Sequence, residues 1–149
     1  MTKMDHIKSF KYLRPDSTIQ IKNPSVGELL PLGISWLWKG NMYHRTNVSG
    51  GICAVLLNAD NVIAIVENPY ITGFNPAYVI NGENQVIWNV SDLFITVYGS
   101  KYHDRNGIHF MDVRTENNML CFFVNISNSD FRFSINIKTG ELGRLIEAR

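Results

Sequence analysis

Ala77-Tyr78-Val79-Ile80-Asn81-Gly82-Glu83-Asn84-Gln85-Val86-Ile87-Trp88-Asn89-Val90 is the stretch that decides the fold. Two apolar runs, 77–80 and 85–90, flank Asn-Gly-Glu-Asn. Asn-Gly between such runs is the strongest short-range hairpin signal, because both residues accept the positive φ of a tight turn. The same grammar repeats outward. Runs 52–57 and 62–67 are joined across Asn58-Ala59-Asp60-Asn61, and runs 108–115 and 119–126 flank Glu116-Asn117-Asn118. Residues 131–137 alternate, with Phe131, Phe133, Ile135 and Ile137 on one side, and Lys138-Thr139-Gly140-Glu141 turns them into 142–146. Residues 18–22, 34–38 and 94–98 read as further strands from alternation or β-branched and aromatic content.

Short strands separated by turn residues predict a mostly β protein. The expected architecture is a single-domain antiparallel meander over 1–149, closed into a sandwich or a strongly curved sheet. Residues 4–13 are the one helix candidate, with Met4, Ile7, Phe10 and Leu13 recurring every third position, although Lys8, Phe10 and Tyr12 also fit a strand. At 149 residues the chain is too short for a propeller, which needs at least four blades of about 40 residues each. An apolar fraction of 45% with a net charge of +1 excludes global disorder, and the near-neutral balance argues against a nucleic-acid binder.

Lys8, Lys11 and Arg14 interrupt every candidate secretory core near the start, and no run approaches the roughly 20 apolar residues that span a bilayer. The expected location is cytoplasmic. Sequons at Asn47, Asn89 and Asn125 then carry no weight. Cys53 and Cys121 sit in apolar runs without ligand spacing and are expected to be reduced and mostly buried.

Charge is uneven. Residues 1–45 carry seven basic and three acidic groups. Residues 46–100 carry no Lys or Arg, only Asp60, Glu67, Glu83 and Asp92, and residues 101–149 carry seven basic and six acidic groups. The middle span reads either as a buried sheet centre or as an acidic face that meets a basic partner. Three of the four carboxylates fall at turns or strand ends, where they would steer association.

Candidate chemistry is sparse. His103-Asp104-Arg105, followed by His109 and Asp112, is the densest polar cluster, but strand alternation places His109 with Met111 on one face and Asp112 on the other. No metal-ligand pair results, and no metal or cofactor is expected. An RNase-like set could be drawn from His44, His103 or His109 with Lys101. No G-x-S-x-G, P-loop or G-x-G-x-x-G is present. Trp36 and Trp38, two apart with Tyr43 nearby, read as a core stripe or as a stacking platform for a ligand.

Residues 77–149 resemble small bacterial immunity proteins of polymorphic-toxin and contact-dependent growth inhibition systems. The likeness lies in Tyr78-Val79-Ile80-Asn81-Gly82-Glu83-Asn84-Gln85-Val86-Ile87-Trp88, Phe110-Met111-Asp112-Val113-Arg114 and Ile135-Asn136-Ile137-Lys138-Thr139-Gly140-Glu141-Leu142. Such proteins share no catalytic residues, so no site carries over. The resemblance implies a non-enzymatic cytosolic protein that binds and blocks a toxin domain. A basic nuclease toxin would meet Asp60, Glu67, Glu83 and Asp92. The alternatives are a ligand-binding β-domain using Trp36 and Trp38, and a hydrolase using His103 and His109.

Overall fold

Val62-Ile63-Ala64-Ile65-Val66 is apolar at every position, the mark of a strand covered on both faces. All five residues are buried. They belong to β5 (Val62–Glu67), an inner strand of a four-stranded antiparallel sheet with β4 (Ile52–Leu57), β6 (Ala77–Asn81) and β7 (Val86–Asn89), in the order β4-β5-β6-β7. The computed structural model describes residues 5–14, 31–71, 73–101 and 105–148.

Period-two alternation gives this central sheet two apolar sides. Val62, Ala64, Val66, Ala77 and Val79 face one core; Ile63, Ile65, Tyr78 and Ile80 face the other. The second core is closed by a sheet of β1 (Lys8–Leu13), β2 (Gly33–Trp38) and β3 (Asn41–Thr46), in the order β1-β2-β3. The first is closed by β8 (Ile108–Glu116), β9 (Met119–Ile126), β10 (Ser129–Ile135) and β11 (Ile146–Glu147), in the order β11-β10-β9-β8. The protein is thus mostly β, in three antiparallel layers with the doubly covered sheet in the middle. Residues 46–100 contain that middle sheet, where a Lys or Arg on a covered face would be desolvated.

The expected hairpins form. The β8–β9 turn is a two-residue loop, with Asn117 at φ 52° and Asn118 at φ 61°. Two more such loops, Lys39-Gly40 and Ser127-Asn128, join β2 to β3 and β9 to β10 with positive φ at both positions. This is the turn whose twist matches a right-handed hairpin. The strand expected at 18–22 lies outside the described residues.

Three expectations are corrected. Residues 8–13 form β1, not the end of a helix, because Phe10 and Tyr12 pack on the core beneath β2. Residues 94–98 are not a strand but the end of α1 (Val90–Tyr98), the single α-helix among the described residues. The Asn89 side chain caps it by accepting from the Asp92 N–H, and Val90 and Phe94, four apart, are both fully buried. Tertiary burial of that stripe overrides β propensity. The third concerns β8: Met111 is an extra residue where the β8–β9 register shifts between Phe110 and Asp112. The bulge turns His109 and Asp112 to the same face, opposite Asn125 and Phe123. No helix among the described residues is long and apolar enough to cross a membrane.

Two tryptophan–glycine contacts join the layers. Trp38 of β2 packs on Gly82 in the β6–β7 turn, and Trp88 of β7 packs on Gly140 beyond β10; a Cβ at either glycine would run into the indole. Gly140 also sits at φ +77°, a conformation that L side chains rarely adopt.

Candidate functional site

The four carboxylates are divided between the two ends of the central sheet. Asp60 lies in the β4–β5 turn and Glu83 in the β6–β7 turn. Both turns sit at the end where Val62 pairs with Asn81, and both residues are exposed. Glu67 ends β5, and Asp92 opens α1 just after Asn89, which pairs with Tyr78; these two belong to the opposite end. Glu67 is half-buried and committed. It accepts from Tyr78 Oη at 2.6 Å and from Asn47 Nδ2 at 3.0 Å. Tyr78 in turn accepts from Arg45, whose guanidinium also donates to Asn84. Burial first, then the hydrogen bond to Glu67, pushes the Tyr78 phenol well above its ordinary value. The structure therefore brings Asp60 and Glu83 to one end and leaves Glu67 and Asp92 at the other.

The histidine chemistry is not assembled among the described residues. His103 and Asp104 lie outside them. The His109 ring lies between two backbone carbonyls, Nδ1 at 3.0 Å from Gly73 and Nε2 at 2.6 Å from Pro69, so it ties the β5–β6 loop to β8. His44 is on β3, in the layer beyond the central sheet from His109. Asp112 accepts from Cys53 Sγ at 2.8 Å, from the Val113 N–H and from Arg114 Nε at 2.9 Å. Burial and that carboxylate push the Cys53 thiol up to about 12, so it is a proton donor here and not a nucleophile. Cys121 is buried, its thiol likewise raised by burial, and both cysteines are free.

The stacking-platform reading also loses its footing. Trp36 has no exposed surface; its Nε1 donates to the Gly82 carbonyl at 2.8 Å and its ring stacks on Tyr43. Trp38 is half-buried on Gly82, under the Lys39 ammonium.

Sequence reasoning missed the outward face of the β8–β11 sheet, which no other described layer closes. Arg114 on β8, Arg132 on β10 and Arg144 beyond it all meet there, around Met119, Cys121 and Phe123 of β9. Arg114 stacks over the Phe123 ring at 5.0 Å and pairs with Asp112; Arg132 pairs with Glu116 at 3.1 Å. A groove of about 260 Å³ runs between Met119 and Ile146, with Arg132 and Arg144 in its wall. Arginine, methionine and aromatic residues are the types enriched where proteins meet. No local motif announces this set, because the three arginines are brought together only by strand register.

No protein-family model matches the sequence, and no curated protein does. Among solved structures, a chain from the structure of Tne2 in complex with Tni2 has the same fold. The TM-score is 0.66 at 16% identity, over 96% of this chain and 99% of that one.

Proposed function

We propose that the protein is a non-enzymatic, cytosolic binding module of the immunity type, which holds and neutralises a cognate toxin domain. The observation that carries this reading is the end-to-end fold likeness to a chain solved within a two-protein complex, Tne2 with Tni2. It is supported by the state of the candidate catalytic groups: His109, Asp112 and Cys53 are each engaged in holding the fold. The partner is a basic domain of the nuclease kind. Asp60 and Glu83, exposed at one end, speed its approach, whereas Glu67 and Asp92 contribute little. Charges at the edge of a contact act mainly on association, and buried anchors act on dissociation.

The test is co-expression in bacteria with the C-terminal domain of the polypeptide encoded immediately upstream of this chain. The expected result is growth arrest by that domain alone and rescue by the chain. A harmless upstream domain, or a toxic one that the chain leaves active, would overturn the reading.

A further inference from the structure

The tip of the β8–β9 hairpin is a ridge between two hollows, one walled by Glu116, Arg132 and Arg144 and the other by uncharged residues. On the outward flank lies the groove of about 260 Å³ that includes Asn117, Met119, Arg132 and Arg144. On the other flank a cleft of about 470 Å³ separates the tip from the β4–β5 turn, lined by Thr115, Asn117, Asn118, Asn58 and Ala59. Asp60 follows in that same turn. Asn117 borders both hollows.

The charges differ in how far they are already spent. Glu116, on the tip, is taken up by Arg132, and Arg114 by Asp112. Among the described residues Arg144 has no carboxylate partner and Asp60 no cationic one. The ridge therefore has one open cation, Arg144, in the outward groove beside Met119, which is 41% exposed, and one open anion, Asp60, in the turn across the other hollow. The tip itself is a tight two-residue turn, Asn117-Asn118, with both φ positive, which leaves its backbone few alternatives. A pre-ordered protrusion loses little entropy on docking. The open cation is arginine, whose planar fork pairs two-pronged with a carboxylate.

We infer that this hairpin tip is the seat of a protein partner that straddles it, setting a carboxylate against Arg144 and a lysine or arginine against Asp60, with an apolar surface over Met119. The inference rests on the binding-module reading above and names the place and chemistry of its contact. It is independent of Glu83, which steers from the neighbouring β6–β7 turn.

The experiment measures binding kinetics of the full chain to the upstream-encoded toxin domain at two salt concentrations. Arg144→Glu is expected to weaken the complex about tenfold or more, chiefly through faster dissociation, as for a central arginine anchor. Met119→Ala is expected to shorten the lifetime of the complex. Asp60→Lys is expected to slow association and to flatten its salt dependence. Met42→Ala, an exposed methionine on β3, is the matched control and is expected to bind as the wild type does. Circular dichroism verifies that each variant folds; all four positions are exposed. If the wild type binds and all three tip variants bind equally well, the inference is wrong while the binding-module reading stands. If the wild type does not bind, that reading falls and takes the inference with it.

Discussion

The two faces of the central sheet are held by apolar area and directional bonds in different proportions. Against the β8–β11 layer the sheet and α1 build a core of seventeen buried residues, centred on Phe94, Phe110, Phe122 and Phe133, whose ring centroids lie 5.3–6.4 Å apart. Against the β1–β3 layer the core has only nine. That gap is crossed by polar tips on aromatic or long side chains: Trp36 Nε1 to the Gly82 carbonyl, Tyr12 Oη to the Ala54 carbonyl, and Arg45 to Asn84 and Tyr78. The first interface also has polar ties, from Asn75 to Phe110, from Cys53 to Asp112 and from Trp88 Nε1 to the Ile137 carbonyl, but its larger apolar area, which is non-directional, carries more of it. The other relies on directional bonds, which fail when a single donor is lost. The first should respond to volume and the second to chemistry.

The largest effect is expected on the first face. Phe110→Ala removes a fully buried ring and should cost about 3–5 kcal/mol, whereas Phe110→Leu, which keeps most of the volume, should cost far less. Denaturant midpoints check both. The second face should invert that order of tolerance. Trp36→Phe keeps an aromatic ring but strands the buried Gly82 carbonyl, at a cost of about 1–3 kcal/mol. Amide exchange should show the loss concentrated in β2 and β3. Tyr78→Phe, a change of one oxygen, takes the donor from Glu67 Oε2 while Asn47 still serves Oε1, and should cost about 1 kcal/mol. A cost for Trp36→Phe as large as that for Phe110→Ala would erase the distinction.

The smallest effect is a pH dependence. Each side holds acids that keep their protons longer when folded: Cys53 and Cys121 on the β8–β11 side, Tyr12 and Tyr78 on the β1–β3 side. Above its ordinary value of 9.0 the unfolded Cys53 thiol has lost its proton, while the folded one holds it up to about 12. The unfolded state then binds fewer protons, so stability is full below pH 9 and falls as pH rises toward 12. Cys53→Ala should flatten that alkaline decline, and the check is unfolding free energy against pH. An unchanged slope would mean that burial and the Asp112 carboxylate together do not hold the Cys53 proton in the folded state.

Much of this fold is legible because strands announce themselves locally. The Asn81-Gly82 turn, the all-apolar β5 and the alternation of β10 are read within a few residues. What escapes reading is decided at a distance. Residues 94–98 carry strand-like chemistry, yet Asn89 caps a helix there and Phe94 locks it into the core. β3 is polar and exposed along most of its length because it is an edge, and so lacks the alternation that reveals a strand. The bulge at Met111 moves Asp112 across the sheet, which no period-two rule anticipates. The site suffered most from this. An uneven charge distribution invites a single acidic face, but hairpin topology sends Asp60 and Glu83 to one end and Glu67 and Asp92 to the other. The arginines of the outward face, spread from 114 to 144, converge only through register.

The central claim is that the faces of the middle sheet are consumed in holding the two outer layers, so that the proposed partner recognition falls to its turns and to the β8–β9 tip beyond it. Hydrogen exchange of the full chain, alone and with the upstream-encoded toxin domain, tests this most directly. The slowest amides should be those of β5 and β6, unchanged by the partner, and new protection should gather at residues 115–120. Exchange in β5 as fast as in the edge strand β3, or partner protection spread over the β1–β3 layer instead of the hairpin tip, would contradict it.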